Sequence, residues 1–434
     1  MIKKKLMALV VAAALTLATA GCSASAVTTS TGVSASNTVS TDSSSDKTSV
    51  SLSVSSASVS ASTSTSASAS ASASASSTSA STKDTDEGDT KVYERTKVFD
   101  MFSEMTVGWN LGNTMDAFGA GNSLRSETYW GNPKTEKALF EFLKNNGFNT
   151  VRIPVTWAEH TGKAPDYTIN SEWMGRVREI VDYAMDLDMF VILNTHHETE
   201  YWLKTDVKNK DAVKEELTAI WAQIAETFKD YGDKLIFEGM NEPRLKGSAK
   251  EWSGGTVDER QMINELNMAF VDTVRESGGN NAERVLILCT YGHSADAQAI
   301  KDLQIPKDDN IAVAVHMYTP YFFTYVADGS YSNWDGSHKQ EIADAVKSVK
   351  KYLLDNNVPV IITETGTQFK ENTADIVKWI DDYFGIMDEN GIKCVIWDNG
   401  IFRASGENFG VVDRRALSFY DETIARAYTD RYKK

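Results

Sequence analysis

The sequence predicts an α/β fold, a (β/α)8 TIM barrel, preceded by a signal peptide and a disordered Ser/Ala/Thr-rich linker. Three observations carry this. Eight short, near-continuous apolar runs recur along residues 92–434, amphipathic helical stripes fill the gaps between them, and each run leads into polar or aromatic residues. The expected division is residues 1–22 as the export signal, 23–90 as the linker and 91–434 as one large domain, since no second linker interrupts the rest.

The leader comes first. Lys3 to Lys5 precede an apolar stretch over residues 6–17, and small residues follow. This is the layout of a secretory signal, too short for a spanning helix of about 20 residues. Two cleavage readings compete. Ala18-Thr19-Ala20 is an A-x-A site that would release a secreted protein. Ala20-Gly21-Cys22 resembles the end of a bacterial lipobox, which would leave a lipid anchor on Cys22, although Thr19 stands where a Leu is usual. Either way the chain is expected outside the cell, secreted or tethered to its surface. From residue 23 to about 90, Ser, Ala and Thr dominate, with Ser-Ala alternation over 66–76. With nothing large to bury, such a segment cannot offset the entropy of ordering itself, so it reads as a solvated stalk.

The eight runs are residues 106–111, 150–155, 190–193, 235–237, 285–289, 311–315, 358–362 and 394–397. Apolar on successive positions, they predict strands covered on both faces. Between them, Val213, Leu217, Ile220, Trp221, Ile224 and Phe228 keep helical spacing, as do Met262, Leu266, Phe270 and Val274, and Ile376, Ile380, Phe384 and Met387. Strands alternating with helices imply parallel pairing, and eight of them close economically into a barrel. An open dinucleotide-binding sheet is disfavoured, because Gly108, Gly112 and Gly119 do not fit G-x-G-x-x-G.

The residues at the strand ends carry the functional signal. In order they are Asn110 and Asn113, Arg152, His196 and His197, Asn241 and Glu242, Tyr291 and His293, His316 and Tyr318, Glu364, and Trp397. They include four of the six histidines in the chain. In a barrel these ends converge on the face that holds active sites.

Glu242 and Glu364, after strands four and seven, face each other across that mouth. Two opposed carboxyls suit glycoside hydrolysis, where one donates a proton to the leaving oxygen and the other is ionised. Arg152 can favour an ionised Glu364, Tyr318 can hydrogen-bond to it, and Asn241 offers an amide to a sugar 2-hydroxyl. Trp397 offers a flat face to a sugar ring. Trp109, Trp130, Trp157, Trp202 and Trp334 lie in or beside the same loops, each with ordinary packing as an equal reading. Other chemistries fit less well. His196-His197-Glu198 lacks the spacing of H-E-x-x-H, and no Ser sits in G-x-S-x-G. With 44 basic against 60 acidic residues and a net charge of -16, the chain is not expected to bind nucleic acid. No metal or other cofactor is expected.

Together these residues resemble glycoside hydrolase family 5 over nearly all of residues 92–434. The motifs are Gly108-Trp109-Asn110-Leu111-Gly112-Asn113-Thr114, Arg152-Ile153-Pro154-Val155, Asn194-Thr195-His196-His197-Glu198, Glu238-Gly239-Met240-Asn241-Glu242-Pro243-Arg244, His316-Met317-Tyr318, Thr363-Glu364 and Trp397-Asp398-Asn399-Gly400. Trp130-Gly131-Asn132-Pro133 adds to a likeness with subfamily 4, mainly endo-β-1,4-glucanases. The resemblance implies Glu242 as acid/base, Glu364 as nucleophile, and Arg152, His196, Asn241, His316 and Tyr318 in support. Asn113, His197 and Trp397 are expected to bind substrate. One departure is Thr365, where the family commonly has an aromatic residue.

The expected activity is a retaining endo-β-1,4-glucanase, a cellulase acting on β-1,4-linked glucans. A xyloglucan-preferring enzyme and a silent glycan-binding barrel are the alternatives. A monomer is expected, with no binding module after the barrel. Cys289 and Cys394, on non-adjacent strands, are expected to be reduced and buried.

Overall fold

The computed structural model describes residues 93–326 and 329–433, so the signal, Cys22 and the linker lie outside the described residues. Eight strands form a closed parallel barrel in chain order: β1 Gly108–Asn110, β2 Thr150–Ile153, β3 Phe190–Asn194, β4 Leu235–Glu238, β5 Leu286–Cys289, β6 Ile311–His316, β7 Val360–Thr365 and β8 Lys393–Ile396. β8 pairs with β1 and closes the ring.

Every helical stripe expected from the sequence is buried on its helix: Val213 to Phe228 on Lys210–Phe228, Met262 to Val274 on Val257–Glu276, and Ile376 to Met387 on Thr373–Glu389. Thr256 caps the second of these helices in a reciprocal capping box with Glu259, which fixes where the chain leaves the β4 loop.

Strand residues alternate between two apolar layers. Val191, Leu193, Leu235, Phe237, Val313, Val315, Val360 and Ile362 pack outward in the layer that includes the helices. Phe190, Ile192, Ile236, Ile287, Ala312, Ala314, Ile361 and Val395 fill the barrel interior. Val98, Phe102 and Met105, from the helix Lys97–Glu104 and the residue after it, complete this inner cluster. This double burial is why the runs read as continuously apolar. Gly108 belongs to the tight packing, since a Cβ there would lie 2.8 Å from Val395. One step further along the strands the interior turns polar, with Asn110, Arg152, Asn194, Glu238, His316 and Glu364.

Candidate active site

Arg152 organises the polar level. Fully buried on β2, it donates from Nε to Glu238 Oε2 (2.6 Å), from Nη1 to Glu364 Oε1 (2.8 Å) and Asn110 Oδ1 (3.0 Å), and from Nη2 to Asn241 Oδ1 (2.8 Å). A buried guanidinium is tolerable only when its charge and donors are matched in this way. The Asn241 contact also fixes the flip of that amide, leaving its NH2 as the group to donate to a ligand.

Glu238 is a residue that sequence reasoning missed. It is wholly buried, accepts from Arg152 and from Asn194 Nδ2 (3.0 Å), and its second oxygen lies 3.3 Å from His293 Nε2. His293 Nδ1 accepts the Glu242 backbone N–H at 2.9 Å, so its proton belongs on Nε2, toward Glu238. Burial opposes the charge on Glu238, but Arg152 and His293 hold it well below the usual carboxylate range. The signal was present in the sequence: a strand arginine enclosed on both faces has five N–H donors and needs more acceptors than Glu364 alone supplies.

Glu364 accepts from Arg152 on Oε1 and from the Tyr318 hydroxyl on Oε2 (3.1 Å). Glu242 Oε1 lies 2.9 Å from His316 Nδ1, and Glu242 Oε2 lies 3.3 Å from Arg244 Nη1. His316 Nδ1 is also 3.6 Å from Glu364 Oε2, and the two glutamates bring one oxygen each within 4.8 Å. At that separation both cannot stay ionised, so the pair retains a proton. Burial pushes Glu364 up to about 8, with Arg152 offsetting part and the Glu242 charge adding to the rise. Burial also opposes ionisation of Glu242, but His316 and Arg244 hold it down at about 2. His316 is pushed down to about 3 by burial and by neighbouring His293, on which it stacks at 4.1 Å, so its ring is neutral.

The remaining expected residues stand beside this polar level. Buried His196 accepts on Nδ1 from Asn194 (3.2 Å), which directs its Nε2 proton toward Glu364 Oε1 at 3.9 Å. Its ring stacks parallel to Trp397, centroids 5.7 Å apart. Gly112 makes room for that indole, since a Cβ would lie 2.8 Å from it. His197 is half-buried, with Nε2 3.6 Å from Asp116 Oδ2 and its ring against Phe118 and Trp130. Asn113 is half-buried in the left-handed region, φ 55°, with its N–H on Asp116.

Two sequence readings need correction or completion. Trp109, Trp157 and Trp334 are buried packing residues: Trp109 donates to Asp398 Oδ2 (2.7 Å), Trp157 to the Asn194 carbonyl (3.0 Å), and Trp334 to Asp382 on the outer helix Thr373–Glu389 (3.0 Å). Thr365, the departure at strand seven, is buried with its hydroxyl on the Met317 carbonyl (2.9 Å), and its own carbonyl accepts Trp397 N–H (2.7 Å). Cys289 and Cys394 are free and buried, as expected.

The family model for Cellulase (glycosyl hydrolase family 5) matches residues 112–403. Endoglucanase A of Ruminococcus albus is 48% identical over 339 residues, covering 77% of this chain and 92% of that protein. Among solved structures, a xyloglucan-specific endo-β-1,4-glucanase from a metagenomic library, in complex with cellotriose, is 60% identical, with TM-score 0.76 and coverage of 77% and 99%. A broad-specificity endoglucanase from Ruminococcus champanellensis with bound cellotriose is 41% identical, with TM-score 0.75 and coverage of 78% and 100%. The barrel, the paired glutamates at its mouth and these matches place the chain in glycoside hydrolase family 5.

Proposed function

We infer that the protein is a retaining endo-β-1,4-glucanase in which Glu364 is the nucleophile and Glu242 the acid/base. The observation that carries this is the close approach of the two carboxyls, within 4.8 Å at their nearest recorded oxygens. Inverting enzymes hold their carboxyls about 6.5–9.5 Å apart to admit a water, whereas retaining ones need about 5–5.5 Å.

The resting pair carries its one proton on Glu364, so the reactive form is the one in which that proton has passed to Glu242. Glu364 then attacks the anomeric carbon while Glu242 gives the proton to the departing glycosidic oxygen, which takes the bonding electron pair. Arg152 and Tyr318 fix the attacking carboxylate, and the Asn241 NH2 meets the sugar 2-hydroxyl. Once Glu364 is esterified its charge is gone, so Glu242 ionises more readily and removes a proton from the water that cleaves the ester. Trp397 supplies the flat wall for the sugar ring.

Two further readings accompany this. A xyloglucan preference is supported by the 60% identity to the xyloglucan-specific enzyme. We also propose that the chain is exported and tethered through Cys22, on the strength of its basic and apolar leader and the stalk-like segment after it.

The deciding experiment measures reducing-end release from carboxymethyl-cellulose, mixed-linkage glucan, xyloglucan and mannan by protein starting near Thr90. Activity on β-1,4-glucans that vanishes in Glu364→Gln is expected; activity unchanged in that variant would sink the assignment. The ratio of kcat/KM on xyloglucan and carboxymethyl-cellulose decides the preference. Palmitate labelling of cells, lost in Cys22→Ser, tests the tether.

A further inference from the structure

Arg244 has no part in the scheme above, yet it is buried beside the acid/base. One nitrogen, Nη1, reaches both the Glu242 carbonyl (2.9 Å) and Glu242 Oε2 (3.3 Å). Its Nε donates to Glu251 Oε1 at 3.2 Å, and its guanidinium carbon lies 4.3 Å from the ring centre of Trp252, a tryptophan 39% exposed. Glu251 is itself held by the Gly247 N–H at 2.8 Å. Glu242 sits in the left-handed region, φ 42°, a conformation that is strained for a glutamate and persists only when its surroundings impose it.

We propose that Arg244, held by Glu251 and Trp252, is a positioning residue for the acid/base: it fixes the strained Glu242 backbone and stabilises the charge that appears on Glu242 as its proton leaves. The proposal rests on the retaining-glycosidase reading. The chemistry is directional. In the first step Glu242 goes from neutral acid to carboxylate, so a fixed cation beside Oε2 is worth more in the transition state than before it. In the second step the same cation keeps Glu242 ionised until it takes the proton of the attacking water. The fork matters because Nη1 holds Glu242 while Nε holds Glu251, a fixed planar spacing that the point-like ammonium of a lysine does not reproduce. The exposed Trp252 backs the guanidinium with its ring on the acid/base side of the site.

The test compares kcat/KM, which reports the first chemical step, for phenyl and 2,4-dinitrophenyl β-cellobioside. The phenyl leaving group needs its proton; dinitrophenolate does not. Arg244→Lys and Arg244→Ala are expected to lower the rate on the phenyl glycoside at least about tenfold, while the dinitrophenyl glycoside changes little. The ratio is independent of the active fraction, so partial misfolding cannot imitate it. Trp252→Ala, at an exposed position, should show the same pattern at smaller size and covers the case in which the arginine variants do not fold. Equal losses on both glycosides, or no loss on either, overturn the proposal. Wild-type protein inactive on both removes the glycosidase reading itself, and the proposal with it.

Discussion

Glu364 pairs with His316 across the β6–β7 ladder although Thr363 has been passed over: Val315 pairs with Ile362, and the next partners are His316 and Glu364. Strict alternation from inward-facing Ile361 would put Thr363 inside and Glu364 out among the helices. The extra residue reverses that and aims the carboxyl at Arg152 and Tyr318.

An inward, fixed Glu364 is the expected site of covalent capture. A 2-deoxy-2-fluoro-cellobioside with a good leaving group should add one fluoro-cellobiosyl group, a disaccharide, mapped by peptide mass spectrometry to Glu364 alone. Glu364→Gln should lower kcat on the order of 10⁴-fold or more. Label on Glu242 instead would reverse the assignment.

The pH profile follows from the shared proton. Burial and the Glu242 charge push Glu364 up to about 8, while Glu242 is held down at about 2. The active form has one proton on the pair, so kcat/KM for an aryl cellobioside should be flat through neutrality. It should then fall about tenfold per unit as pH rises past about 8, where the last proton leaves. Glu242→Gln removes a charge that helps hold Glu364 up, so its inactivation by the fluoro-sugar should titrate at lower pH. A profile flat to pH 10 would contradict this.

Arg152 and Glu238 depend on each other at zero exposure. Arg152→Met leaves Glu238 as a buried charge without its main partner and should cost about 3–5 kcal/mol of unfolding free energy in urea. Adding Glu238→Gln should recover part of that loss, a coupling visible only in the double variant. A loss below about 1 kcal/mol in the single variant would show that the guanidinium is not a structural centre.

Burial pushes the thiols of Cys289 and Cys394 well above their ordinary range. Protein starting near Thr90 should therefore be inert to a thiol reagent when folded and give two thiols when unfolded without reductant. Finding none would mean that the two cysteines are joined.

The sequence was most readable where chemistry and spacing coincided. Helix stripes such as Val213 to Phe228 announce their buried face, and Glu242 and Glu364 stand out in the Asn241-Glu242-Pro243 and Thr363-Glu364 motifs that follow apolar runs. The run ending in Glu238 is less readable, because when both faces of a strand are covered nothing in the pattern says which residues point inward. The same ambiguity hid the extra residue at Thr363 and left Trp109 and Trp334 equally readable as cleft walls or packing. Direction had to come from the ladder register.

The layer of Ile192, Ile236, Ile287, Ala314 and Ile361 beneath the polar level has a consequence for traffic. It is a largely dry floor: these side chains carry no hydroxyl, amide or charge along which a proton could hop toward Arg152 from the far end of the barrel. The mouth through which the polysaccharide enters is then the easier route for water and protons. A glucan chain lying in the cleft becomes its own stopper, and the proton handed to the first departing sugar is made good by water that enters as that sugar leaves.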